Sequence, residues 1–127
     1  MSGSRVIVVE DSATLAALAI RGLRQAGIIN ADFATNGQSA LALIKANKPD
    51  LILLDLRLPD MEGWEILDYA REIYGKYSFA VVIMTTYDNQ ETRKLVQQYH
   101  VDRYVIKPVM PNELVDIIHD LLAVPSV

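Results

Sequence analysis

The sequence predicts an α/β domain of five βα units, a doubly wound, five-stranded parallel sheet with helices on both faces. Two observations carry that prediction. Five short apolar runs alternate with five longer stretches of helical periodicity along the 127 residues. Several of the runs are apolar without alternation, as strands covered on both faces are. The length suits one domain with a substantial core of its own.

RVIVV (Arg5–Val9) is β-branched and predicts the first strand. DSATLAALAIRGLRQAG predicts the first helix, with Leu15, Leu18, Ile20 and Leu23 near helical spacing and Gly27 as its stop. NADFAT (Asn30–Thr35) is a weaker second strand. NGQSALALIKANKPD predicts the second helix, its apolar stripe including Ala40, Leu41, Leu43 and Ile44. It halts before Pro49, because a residue preceding proline is steered away from helical backbone. LILL (Leu51–Leu54) is the third strand. EGWEILDYAREIYG is the third helix, with Trp64, Leu67, Ala70, Arg71 and Tyr74 spaced like one face. FAVVIM (Phe79–Met84) and NQETRKLVQQYH predict the fourth strand and helix. DRYVI (Asp102–Ile106) is the fifth strand, and MPNELVDIIHDLLAV the last helix, with Pro111 suited to a first turn.

Composition narrows the function. Half the residues are hydrophobic (51%) and 22% charged, a globular profile. A net charge of −4 argues against a nucleic-acid surface, which needs clustered Lys and Arg. The absence of cysteine excludes disulfides, thiolate metal sites and Cys nucleophiles. No apolar stretch approaches the roughly 20 residues that span a bilayer, and no signal peptide is visible. The default location is the cytoplasm. Residues 1–4 read as a leader, 5–123 as the domain and 124–127 as a tail or the start of a linker.

In open parallel sheets, ligands sit beyond the carboxyl ends of the strands. The first strand ends in Glu10-Asp11, the third in Asp55, the fourth in Thr85-Thr86 and the fifth in Lys107-Pro108. Three acids so placed would repel one another and raise at least one pKa, unless a hard divalent cation is held among them. Mg²⁺ fits, since it takes one or two carboxylates, keeps waters and leaves room for phosphate. Lys107 and Thr85 then supply a charge and a hydrogen bond to phosphoryl oxygens, and Asp55 a nucleophile. Taken singly, each feature has a plainer reading. A Glu-Asp pair before a helix is a capping and dipole device, with Ser12 or Asp11 as the cap. Thr85 favours strands, Lys107-Pro108 ends one, and Asp60 forms a turn. The ordered set at one sheet edge is what points to chemistry.

The acidic pair Glu10-Asp11, LLDLRLPDMEGWE around Asp55, VIMTTY with Thr85, and RYVIKP with Tyr104, Lys107 and Pro108 resemble the receiver domain of two-component response regulators, over essentially the whole chain. The resemblance implies a flavodoxin-like sheet of strand order 2-1-3-4-5. It implies a phosphorylation-activated signalling switch rather than an enzyme with a separate substrate. Asp55 would accept a phosphoryl group from a sensor histidine kinase or a histidine phosphotransfer protein. Asp11 and Asp55 would bind Mg²⁺, with the backbone carbonyl of Arg57, and Glu10 would act through water. Lys107 would pair with the phosphoryl oxygens. Thr85 would swing onto the phosphoryl group and Tyr104 would turn inward, biasing the face made by the fourth helix, fifth strand and fifth helix. Arg93, Tyr99, Arg103, Tyr104 and Asn112 would lie on that face, which would meet a downstream protein or output domain. The resemblance leaves room for a homodimer formed on phosphorylation, with no direct nucleic-acid or membrane partner.

Four positions depart from the family's usual pattern. Glu10 stands where aspartate is commoner, which implies reduced or re-tuned metal affinity rather than its loss. Thr86 replaces a small alanine, and Arg57 is a long cation beside the acceptor; both imply a slowly hydrolysed phosphate. His100 stands where glycine often ends the fourth helix, which implies a different helix end. Two other functions fit the architecture. A pseudo-receiver would keep the fold without phosphorylation, with Glu10 in its support. A flavin binder is disfavoured, because VEDSAT offers carboxylates where flavin phosphate needs donors.

Overall fold

The computed structural model describes residues 3–86 and 88–122. Strands β1 (Arg5–Val9), β2 (Asn30–Ala34), β3 (Leu51–Asp55), β4 (Ala80–Thr85) and β5 (Arg103–Ile106) alternate with helices α1 (Ala13–Gln25), α2 (Gly37–Ala46), α3 (Gly63–Tyr74), α4 (Gln90–Tyr99) and α5 (Pro111–Leu121). All strand pairs are parallel, in the order β2-β1-β3-β4-β5. The expected architecture and strand order are thus observed. No helix among the described residues is long and apolar enough to cross a membrane.

Strand periodicity divides the core in two. Ile7, Val9, Ile52, Leu54, Val81 and Ile83 point to one face and meet Ala40 and Ile44 of α2 with Ile66, Leu67 and Ala70 of α3. Val6, Val8, Leu51, Leu53, Val82 and Met84 point to the other, against Ala19 and Leu23 of α1 and Leu114, Ile117 and Ile118 of α5. β1 and β3 are buried on both faces, as their unbroken apolar runs require.

The structure corrects several expectations. α1 buries Ala16, Ala19, Gly22 and Leu23, while Leu15, Leu18 and Ile20 are half-buried at the edges of that stripe. Small residues take the inner face because α5 lies close: a Cβ on Gly22 would meet the Cα of Pro111 at 3.1 Å. On α2, Leu41 and Leu43 flank the buried Gly37, Ala40 and Ile44. Asp55 belongs to β3, whereas Phe79 is buried ahead of β4. Asp102 precedes β5, where its carboxylate accepts from Val81 N–H at 2.8 Å.

α4 ends at the left-handed His100 (φ 53, ψ 54), the conformation a glycine would adopt, so the expected change of helix end is not found. Arg71 of α3 explains how a histidine is held there. Its guanidinium donates to the carbonyl oxygens of Tyr99 and, at 3.2 Å, His100, the carbonyls a helix C-terminus leaves without partners. The last residues of the expected closing helix, 123 and 124, and the tail 124–127 lie outside the described residues, as do residues 1 and 2 of the leader.

Candidate functional site

β1 and β3 are neighbours, so their carboxyl ends lie side by side. Glu10 follows β1, is almost fully buried (1% exposed) and is pinned by its own N–H, which donates to Ala34 O at 3.0 Å. Its Oε2 accepts from Ser12 N–H at 2.9 Å. Ser12 in turn caps α1, accepting from Leu15 N–H at 3.3 Å. The cap is therefore Ser12, which leaves Asp11 exposed at the mouth.

Asp55 closes β3 and is 5% exposed. The chain then doubles back across the strand end. Arg57 bridges to Glu62, Leu58 N–H donates to Met61 O at 3.1 Å, and Gly63 N–H donates to Leu56 O at 2.7 Å. Gly63 passes so near that a Cβ there would lie 2.3 Å from the Asp55 carbonyl oxygen, so only glycine fits without backbone movement. Asp60, read as a turn former, fixes this loop elsewhere. Its carboxylate accepts from Gly37 and Gln38 N–H at 2.7 and 3.0 Å, anchoring the loop to the start of α2.

Thr85 ends β4, fully buried, and its carbonyl accepts from Lys107 N–H at 2.9 Å. Lys107 leaves β5 and turns inward. Its Nζ donates to Asp55 Oδ2 and to Glu10 Oε1, both at 2.8 Å. One carboxylate oxygen each from Glu10, Asp11 and Asp55 lies within 4.8 Å of the others. Four of the expected residues are thus brought together, with Thr85 on the neighbouring strand.

The electrostatics follow from this packing. Burial pushes the Glu10 carboxyl above its ordinary value; the Lys107 ammonium and the Ser12 N–H pull the other way without cancelling it. Burial pulls Lys107 down, but its hydrogen bonds to Asp55 and Glu10 outweigh that, leaving its pKa raised. Three carboxylates against one ammonium leave negative charge uncompensated. Close carboxylate oxygens with one member open to solvent are the donor set of a hard divalent cation that keeps waters. The residues present therefore fit Mg²⁺.

The remaining expected residues lie outside this cluster. Arg57 and Thr86 are exposed at its rim. The Arg57 N–H donates to Asp55 Oδ1 at 3.4 Å. Tyr104 is half-buried on β5, opposite Ile83. Burial raises its phenol pKa, and Asp88 adds to the effect. On the outer face, Arg93 pairs with Asp88 at 2.6 Å and Arg103 with Asp120 at 2.7 Å, with Asn112 exposed nearby in sequence on α5. Tyr99 stacks on Trp64, ring centroids 4.4 Å apart, and its hydroxyl donates to Asp68 at 3.3 Å. Sequence reasoning missed this α3–α4 tether, because nothing local in either helix marks the partner.

A family model described as response regulator receiver domain matches residues 6–119. The chain is also similar to solved structures. One is a CheY-like response regulator receiver domain protein from Methanospirillum hungatei, at 27% identity and TM-score 0.82, covering 92% of this chain and 91% of that one. Another is a DNA-binding response regulator of the LuxR family from Staphylococcus aureus, at 29% identity and TM-score 0.79, covering 93% and 98%. A third is the receiver domain of a Francisella response regulator, at 26% identity and TM-score 0.81, covering 94% and 96%.

Proposed function

The chain belongs to the response regulator receiver domain family of two-component systems, and from that premise we propose that it is a phosphorylation-activated switch whose acceptor is Asp55. The observation that carries this reading is Lys107 Nζ, 2.8 Å from both Asp55 and Glu10 beside a cluster of three carboxylates. A half-buried ammonium held at a strand-end carboxylate is positioned to meet phosphoryl oxygens as they arrive.

The donor is a phosphohistidine of a sensor kinase or a phosphotransfer protein. An Asp55 oxygen attacks phosphorus, the new O–P bond forms as the P–N bond breaks, and the bond's electrons leave with the imidazole nitrogen. Lys107 keeps one contact with Glu10 and transfers its other to the phosphoryl group. Asp11 and Asp55 would hold Mg²⁺, with the Arg57 carbonyl as a further ligand and Glu10 acting through water; when bound, the ion would supply positive charge to the phosphoryl oxygens. Thr85 turns its hydroxyl to the new phosphoryl group, and Tyr104 moves into the space it leaves. The face of α4, β5 and α5 then changes for a downstream protein, an output domain or a second copy of the chain. Arg57 and Thr86, at the rim, restrict the attacking water and prolong the phosphorylated state. Receipt from a kinase places the domain in the cytoplasm.

Intact mass after incubation with a small phosphodonor and Mg²⁺ tests the proposal. Wild type is expected to gain one phosphoryl group, and Asp55→Asn none. No gain in wild type would favour a pseudo-receiver that keeps the fold without the chemistry.

A further inference from the structure

A broad groove lies away from the acidic centre, between α1 and the outer edge of β2. It encloses about 830 Å³, with Ala31 and Phe33 of β2 and Ala17, Ile20, Arg21 and Arg24 of α1 among its lining. Three independent features make it unlike ordinary surface. β2 is bonded only to β1, so its outer row of N–H and C=O groups faces no strand among the described residues. Such an edge is a template for another chain. Phe33 is 51% exposed and Ile29, just before the strand, 82% exposed. Finally, Arg21 and Arg24 stand on the wall with no ion-pair partner among the described residues, in a chain of net charge −4. The one acid in the groove, Asp32, is already engaged by Arg5 at 3.7 Å.

From these we infer that the β2 edge is a docking site for an extended, acidic-apolar segment of a partner protein. The segment adds a strand beside β2, lays its apolar side chains on Phe33 and Ile20, and gives its carboxylates to Arg21 and Arg24. Main-chain hydrogen bonds supply the affinity in strand addition, and alternate side chains the specificity. The two arginines disfavour a basic partner. Position separates this contact from phosphoryl transfer. The separation is lateral: β1 lies between β2 and β3, which Asp55 closes, and the partner would sit on the far edge of β2, with Arg24 toward the amino ends of the strands. A partner held here leaves the acidic centre open.

The test is titration of ¹⁵N-labelled protein with a synthetic peptide of alternating glutamate and valine, against a peptide of alternating lysine and valine. The acidic peptide is expected to shift amides across 29–34 and the second half of α1 saturably, and the basic peptide to leave them unmoved. The double variant Arg21→Glu, Arg24→Glu should weaken the acidic peptide about tenfold or more, and Phe33→Ser should do likewise. All three side chains are solvent-accessible, and an unchanged melting temperature would show that the fold is kept. Asp55→Asn should bind as wild type does, so this inference and the phosphoacceptor reading fail separately. Absence of these shifts, equal binding of both peptides, shifts confined to α4, β5 and α5, or wild-type affinity in the variants would each overturn it. Self-association removed by Phe33→Ser, without peptide binding, would overturn it in favour of a second copy.

Discussion

Glu10 is the residue whose side chain most distinguishes this site. Its length lets it take the Ser12 N–H on one oxygen and the Lys107 ammonium on the other. Aspartate, a methylene shorter, cannot make both contacts unless the backbone moves. Lys107 is then left with Asp55, and the shorter carboxylate is freed toward the other acids. Glu10→Asp is therefore expected to bind Mg²⁺ about tenfold more tightly, the scale on which residues supporting a metal's ligands act; titration calorimetry would show it. Unchanged or weaker binding would mean that the Glu10–Lys107 pair does not hold the metal site back. Arg57 and Thr86 are expected to set how long the phosphate lasts. Thr86→Ala and Arg57→Ala should each shorten the aspartyl phosphate's half-life, followed by loss of phosphoryl mass over time, and wild type should outlast a regulator that resets in seconds. Variants that hydrolyse no faster would remove both residues from that role.

At the scale of elements, helix ends organise the site loops. Asp60 accepts two backbone N–H groups from the start of α2, and these hold its pKa below the ordinary aspartate value of 3.8. Because the folded value is depressed, the stabilisation is present above about pH 3.8 and is lost as pH falls through the lower folded value. Asp60→Asn should melt earlier than wild type at neutral pH, with the gap closing in acid. A gap that stays constant to low pH would rule out the ionised carboxylate as its source. At α4, His100→Gly removes the steric cost of a left-handed side chain and should stabilise by about 1 kcal/mol in urea unfolding. A loss of stability would mean that the histidine side chain contributes more than its backbone costs.

These ends also show where sequence reading succeeds and where it stops. The strands were legible because β1 and β3 each contain an unbroken run of four apolar residues, and the acidic centre because four of the five strand ends carry its chemistry in sequence order. Leu15, Leu18 and Ile20 misled the reading of α1, since periodicity cannot see that the approach of α5 requires small residues beneath it. Glycine preference argued against a left-handed His100, yet Arg71, far away in sequence, holds it. The Glu10–Lys107 pair joins the two ends of the chain, and no local signal announces it.

For the molecule as a whole, the sheet brings the carboxyl ends of β1, β3, β4 and β5 into one pocket, while α4 buries only Thr92 in its own length and is tied to α3 through Tyr99, Trp64 and Arg71. A buried strand-end carboxylate together with a lightly buried helix suits the proposed switch, whose output would be a change of surface. The most direct measurement of the central claim is chemical location of the phosphoryl group. Protein treated with a small phosphodonor and Mg²⁺ is reduced with borohydride, which converts an acyl phosphate to an alcohol, and the modified residue is found by peptide sequencing in the mass spectrometer. Reduction at Asp55 alone is expected, abolished when Mg²⁺ is withheld. Reduction at Asp11 or Glu10, or a phosphoryl gain that leaves Asp55 unmodified, would contradict it.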